Sequence, residues 1–446
     1  MTQLQQKLTL YGLTMIAVGG AIGSGIFLTP GEIAKTVQHP GLVLLVWTLG
    51  GIIALTGALT FAELGGLFPK SGGVYVFLKE AYGARAGFLY GWVTLLVINT
   101  GALAALGMAL AEYMTIFVPL GESGKIILAI FVIAGLTGIN CTGVNVSQLF
   151  ANVFTGLKLL AMLGIIVIGF LFYDPGKIPL DFSLSNGISG NWTNVMLTAL
   201  IGVLWSFGGW HHASYLAGET INAQRTVPRA MVLGALIVTG FYVLINLAYM
   251  LLLPMDAIAQ SGKVAGDAVA SVFSFGGQLV AIAIAISIFG TIGIYTMSAP
   301  RIYFAMAEDG IFFNKLSWVH PRFKTPVYAM TSQAVWAILL LLFWRTFSNL
   351  ITYVTFMDIV FMTMAGFSVF VFRRKRPDAS RPYRTFLYPL VPAIFVLISG
   401  AFVINTLFEK PEQAWAGLVL LVFGLGVYEW FRMLKRDKNK ADAAKE

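Results

Sequence analysis

Charge is what this 446-residue chain has least of. Asp, Glu, Lys and Arg together supply 11% of it against 58% hydrophobic residues, and the mean hydropathy is +0.81. That is too little charge to cover a soluble surface, so a water-soluble globule is excluded and an all-α integral membrane protein is expected. Cysteine is almost missing. Cys141 is the single one, which excludes an internal disulfide, and its expected place near the cytoplasmic end of a span speaks against an external one. Histidine is scarce too: His39, His211, His212 and His320, with that one cysteine, make no metal-ligand spacing. Adjacent His211 and His212 would point about 100° apart on a helix and would not share an ion. A phosphate loop of the Gly-x-x-x-x-Gly-Lys-Ser/Thr type is absent, so ATP-driven work has no support. With no nucleophile–base pair or metal cluster at membrane depth, neither an enzyme nor a cofactor is expected.

What is present is length in apolar runs. A span takes about 20 mostly apolar residues, and that ruler predicts twelve: 9–35, 41–67, 86–118, 125–142, 146–172, 193–218, 230–254, 276–306, 326–345, 350–372, 385–406 and 413–433. No cleavable signal peptide is expected before the first, whose apolar run is too long and is broken by Gly and Ser. The longest polar segments are the tail after Phe431, the stretch from Glu308 to Thr325 and the loop from Asp174 to Gly190, so residues 1–446 read as one transmembrane unit.

The net charge of +9 takes its meaning from this topology. With both termini in the cytoplasm, 22 Lys and Arg fall inside and 6 outside, the latter being Lys35, Lys125, Lys177, Lys263, Arg345 and Lys410. That asymmetry matches the positive-inside rule. The basic excess therefore reports orientation and contact with anionic lipid, not a nucleic-acid partner. The run from Arg373 to Arg376 reads as a stop-transfer flank.

Two of the spans are interrupted by small residues. The first carries Gly19-Gly20-Ala21-Ile22-Gly23-Ser24-Gly25-Ile26-Phe27, the sixth Trp205-Ser206-Phe207-Gly208-Gly209-Trp210. Unwound backbone inside a membrane is tolerated only where it lines a protein cavity or meets a ligand, and a matched pair of such breaks points to a substrate site in a secondary transporter. A broken helix exposes carbonyl oxygens at one half and N–H groups at the other. That pairing suits an amino acid zwitterion, ammonium to carbonyls and carboxylate to N–H groups. Small-residue runs also let helices pack closely, but two breaks in the first spans of successive five-helix blocks favour the site.

Here the residues resemble a family. Gly23-Ser24-Gly25-Ile26-Phe27 followed by Thr29-Pro30-Gly31 resembles the first-helix signature of the amino acid–polyamine–organocation superfamily, and Pro69-Lys70-Ser71-Gly72-Gly73-Val74-Tyr75 its short re-entrant connection. Phe207-Gly208-Gly209-Trp210, Arg225-Thr226-Val227-Pro228-Arg229-Ala230, the stretch from Val238 to Tyr249, Ser287-Ile288-Phe289-Gly290 and the stretch from Arg301 to Gly310 are similar to the L-type amino acid transporters and their bacterial relatives.

The resemblance implies a five-plus-five inverted repeat, residues 8–172 and 193–372, with helices 1 and 6 broken, two peripheral helices in 385–433 and a cytoplasmic tail at 434–446. It implies that the substrate carboxylate meets N–H groups around Ser24, Gly25 and Ile26. The ammonium would meet carbonyls near Ala21, Ile22, Trp205 and Phe207, with Gly23, Ser206, Gly208 and Gly209 completing the site and Trp205 acting as an aromatic gate.

Lys158 is the other informative residue. It stands about twelve residues into the fifth span, too deep to reach the surface easily, and an intramembrane lysine is a functional candidate by default. Sodium-independent members of the superfamily carry a fifth-helix lysine in the volume of a sodium ion. By that likeness its partners would be carbonyls near Gly19 and Gly20 and the hydroxyl of Ser287. A lysine that releases its proton in each cycle would couple transport to protons; one that stays charged would serve an exchanger.

Lesser candidates are Glu63 and Glu112, expected at water-reached span ends, Asp358 in the tenth span, and Asn99 and Thr100 in the third. Heteromeric relatives carry a cysteine between helices 3 and 4. The segment Phe117–Gly124 has none, so no disulfide-linked accessory subunit is expected. His211-His212 departs from the family pattern and leaves substrate preference and pH response open. The expectation is a sodium-independent exchanger of neutral L-amino acids in the cell (inner) membrane; a proton-coupled symporter and an amine or polyamine exchanger of the same fold are the alternatives.

Overall fold

The computed structural model describes residues 4–182, 192–343, 347–409 and 411–443. Arg345, Lys410 and Lys445, which the topology places, lie outside them, as do 183–191 of the long loop.

Twelve helical segments stand where twelve spans are expected. The first is Leu10–Ala21 followed, after a bend of 41°, by Gly25–Val37. The second to fifth are Pro40–Leu67, Ala84–Met114, Glu122–Cys141 and Val144–Leu171. The sixth is Trp192–Ser206, an unwound turn, and the short helix His212–Tyr215. The seventh is Ala223–Leu252, and the eighth is Gly276–Ser298 continued as Pro300–Glu308. Val327–Phe343, Phe347–Lys375, Leu390–Glu409 and Pro411–Ala443 complete the set. Among the described residues, eight helices are long and apolar enough to cross a membrane unbroken, and the bent first pair is a ninth. The chain is a multi-pass membrane protein.

Local chemistry sets the helix ends. The Thr9 hydroxyl caps the first span by accepting from Gly12 N at 3.3 Å. His39 Nδ1 accepts from Gly41 N at 3.1 Å at the start of the second, with Pro40 in the first turn, where its missing N–H costs nothing. Gly143, at φ +137°, lets the chain reverse between the fourth and fifth spans.

The first span is central, packed on the fifth, seventh and eighth, and the second runs along the seventh. Outward faces are apolar: Phe131, Leu149, Leu160, Leu397 and Phe423 are 62–75% exposed, as side chains that meet lipid tails should be.

Two sequence expectations are corrected here. Glu63 is not at a water-reached end: it is 2% exposed and binds Arg373 at 2.7 and 2.8 Å, Arg381 at 3.1 Å and the Thr385 N–H at 2.8 Å. The basic run is correspondingly more than a flank, because Arg373 pairs with Glu63 and Arg376 with Glu80 at 2.7 Å. Position in a span says how near an end a residue lies, but not whether another helix covers it. The third span also holds a π-helical turn, Thr94–Ile98, which apolar periodicity does not reveal.

Candidate functional site

The first break opens because Gly23 and Ser24 leave the helix while Ala21 ends one half and Gly25 starts the next. The N–H groups of Ser24, Gly25 and Ile26 have no acceptor among the described residues. The second break repeats the pattern, with Gly209, Trp210 and His211 N–H groups likewise without an acceptor. Gly209 has φ +105°, a conformation an L side chain rarely adopts.

The two breaks touch and are strapped together. A Cβ on Gly25 would lie 2.6 Å from Ser206 Oγ. The Tyr242 hydroxyl, on the seventh span, lies 3.0 Å from the Ala21 carbonyl oxygen and 2.9 Å from that of Ser206. Its single proton is shared between the last carbonyls of the two broken half-helices. Trp47 packs edge-on against the same ring at 5.6 Å.

Lys158 is 1% exposed and reaches the first break from the fifth span. Its Nζ donates to the Gly19 carbonyl at 2.7 Å, the Ile22 carbonyl at 2.8 Å and Thr291 Oγ1 at 2.6 Å. Three acceptors complete the three donors of an ammonium. Thr291 also approaches the Gly19 and Ile22 oxygens, at 3.2 and 2.9 Å.

This shell differs from the expected one. Gly19 belongs to it, but Ile22 stands in place of Gly20, and Thr291 in place of Ser287, whose Oγ is buried without a partner. Ser287 and Thr291 are one helical turn apart on one face, and spacing alone does not say which turn faces the lysine.

A cavity lies between the breaks. Gly20, Ala21, Gly23, Ser24 and Gly25 line it from one side, and Trp205, Ser206, Phe207, Gly208 and Gly209 from the other. Ile22 and Ile26 are not on its wall, and the Ile22 carbonyl is engaged by Lys158. Trp205 is half-buried against the cavity. Around it stand Asn99, Thr291, Thr355, Asp358 and the two histidines. His212 Nδ1 meets Ser298 Oγ at 2.6 Å and its ring stacks on Tyr295 at 4.2 Å. Among the described residues the His211 side chain makes ring contacts, with Trp210, His212 and Tyr215, and no hydrogen bond. Among the described residues, no three His, Cys, Asp or Glu side chains gather as metal ligands.

Thr291 and Tyr242 were missed by sequence reasoning. Each is one hydroxyl on an apolar helix, and only the fold brings it to the breaks. For Asp358 the sequence left a vestibule wall and a structural hydrogen bond equally open, and the structure places it on the cavity wall with its Oδ1 unpartnered among the described residues.

Comparison with known proteins places this geometry in a lineage. The sequence pattern described as "Amino acid permease" matches residues 8–428. The chain is 33% identical over 434 residues to the Serine/threonine exchanger SteT of Bacillus subtilis (strain 168), covering 96% of both chains. It is 31% identical over 437 residues to the Large neutral amino acids transporter small subunit 2 of Homo sapiens, covering 95% of this chain and 80% of that one. To the b(0,+)-type amino acid transporter 1 of Mus musculus it is 30% identical over 431 residues, covering 95% and 86%.

Proposed function

This chain belongs to the amino acid permease family, and from that premise we propose that it is a sodium-independent exchanger of neutral L-amino acids working by alternating access. The observation that carries the reading is the Lys158 ammonium on the Gly19 and Ile22 carbonyls and the Thr291 hydroxyl. It holds the first, fifth and eighth spans together with a resident cation, leaving no role for sodium at that place. The relatives named as exchangers and neutral amino acid transporters support the same reading.

The substrate carboxylate sits on the free N–H groups of Ser24, Gly25 and Ile26. The α-ammonium meets the Phe207 carbonyl and the remaining lone pair of the Ala21 carbonyl, and Trp205 closes over it. Residues 8–172 and 193–372 form the two inverted repeats, 385–433 the peripheral helices and 434–446 a cytoplasmic tail. The protein lies in the cell membrane with both termini inside. It is a transporter and not an enzyme, and it works without a disulfide-linked subunit, since its one thiol, Cys141, is half-buried at the end of the fourth span.

The test is reconstitution. Uptake of labelled alanine that requires internal amino acid and ignores both sodium and a pH gradient supports the exchanger. Uptake into empty vesicles driven by inward protons replaces it with a proton symporter and makes Lys158 the leading proton carrier.

A further inference from the structure

Besides Ser24 Oγ at the first break, three polar atoms on the cavity wall have no hydrogen-bond partner among the described residues. Asn99 Oδ1, Thr355 Oγ1 and Asp358 Oδ1 are all buried without a hydrogen-bond partner, and all three residues line the cavity. Asn99 is 2% and Thr355 5% exposed. Buried polar groups in native proteins are nearly always paired, so each orphan needs an explanation. Three orphans from two helices around one cavity share one explanation, a ligand that comes and goes.

Their chemistry states what that ligand brings. A carboxylate accepts and does not donate, and an amide oxygen only accepts. The ligand must therefore offer N–H or O–H donors. When ionised, Asp358 carries a charge that no cationic side chain among the described residues lining the cavity is placed to neutralise. Lys158 is spent on its three acceptors, His212 is held by Ser298 and Tyr295, and the His211 side chain makes ring contacts and no hydrogen bond among the described residues. A buried charge without a counter-charge is costly, and an incoming ammonium relieves that cost where a hydroxyl relieves it only in part.

The third span is shaped for this task. Asn99 directly follows the π-turn Thr94–Ile98, whose widened backbone is held by the Thr100 hydroxyl on the Leu95 carbonyl at 2.7 Å and the Trp336 indole N–H on the Leu96 carbonyl at 2.9 Å. Single π-turns recur at functional sites because they rotate the residues that follow.

We infer that Asp358, Thr355 and Asn99 form a side-chain subsite that selects substrates ending in a hydrogen-bond donor, with a short protonated amine preferred to a hydroxyl and a hydroxyl to a methyl. This rests on the exchanger reading and widens it, because the preferred substrates include amino acids with a cationic side chain.

Norvaline, homoserine and 2,4-diaminobutyrate differ only in the terminal group, methyl, hydroxyl or ammonium. Each competes against labelled alanine in alanine-loaded vesicles, and each is tested for its shift of the melting temperature of the purified protein. The expected order of half-inhibiting concentrations is diaminobutyrate below homoserine below norvaline, with about tenfold or more between the ends. In Asp358→Asn the ratio of the norvaline to the diaminobutyrate half-inhibiting concentration should fall to about twofold or less, and that ratio is the readout whatever happens to overall rate. Norvaline equal to or better than diaminobutyrate in the natural protein overturns the subsite even if the variant fails to fold, as does an unchanged ratio in Asp358→Asn. Alanine exchange with a flat series removes the subsite alone; no exchange and no melting shift with any amino acid removes the exchanger reading too.

Discussion

The backbones of Gly20 and Gly209 lie against each other where the two breaks cross: a Cβ on Gly209 would sit 2.3 Å from the Gly20 carbonyl oxygen, and one on Gly20 3.1 Å from the Gly209 oxygen. These glycines are there for closeness as much as for flexibility. The unwound parts of the first and sixth spans form one body, so a shift in either is felt by the other.

Gly209→Ala should be the most damaging of the small substitutions. It adds a clash with backbone to a φ of +105°, and strain of that backbone kind alone costs about 1–3 kcal/mol. Gly135→Ala in the fourth span has nothing within 4 Å of the added methyl and should be neutral or slightly stabilising. Melting temperatures of the two purified variants, compared with the parent, check this.

Lys158→Ala removes three hydrogen bonds and leaves the Gly19 and Ile22 carbonyls with Thr291 as their shared donor. Exchange should fall by about tenfold or more, since a hydrogen bond to a charged group contributes about 1.5–3 kcal/mol. Unchanged exchange in vesicles would remove Lys158 from the mechanism.

Thr291 and Ser287 should separate cleanly. Thr291→Val deletes the hydroxyl that bonds Lys158 Nζ at 2.6 Å and should slow exchange by about five- to tenfold for one lost charge-assisted bond. Ser287→Ala deletes a hydroxyl that bonds nothing and should leave exchange within about twofold of the parent by the same reckoning. Equal effects of the two would sink the assignment of the lysine shell.

Arg301 in the eighth span and Glu219 just after the sixth, both at 0% side-chain exposure, join at 2.7 and 2.9 Å, and Lys7 and Leu8 donate their N–H groups to the Glu219 carbonyl. Glu219→Ala should cost about 3–5 kcal/mol, because a buried arginine is left unpaired. The pair Glu219→Leu with Arg301→Met should recover much of that loss, read as melting temperature and yield of folded protein. A double variant no better than the single would show that the pair is worth more than the charge it hides.

Much of the cavity wall was legible before the fold. Two small-residue breaks in membrane-length helices are tolerable only at a cavity, and the structure has the cavity there, walled by Ser24 and Gly25 from one break and Gly208 and Gly209 from the other. Lys158 stood out because a lysine at that depth needs partners. Those partners were only half legible. Gly19 follows from the break, whereas Ile22 and Thr291 depend on where three helices cross. Glu63 and Asp358 show the same limit with opposite outcomes, one met by two arginines from distant sequence and the other placed on the cavity wall.

What the sequence determined by itself is whatever the membrane enforces on each segment alone: twelve apolar helices, their order, and the places where the backbone leaves the helix. Hydrocarbon acts on every residue of a span separately, so a linear reading suffices. What only the tertiary structure decided is which polar atom meets which. Lys158 with Thr291, Tyr242 with both broken ends, Glu219 with Arg301, and Asp358 on the cavity wall are set by helix crossings between residues up to 221 positions apart, as from Ala21 to Tyr242. One turn of slip along a helix changes the partner while leaving the hydropathy of the chain untouched.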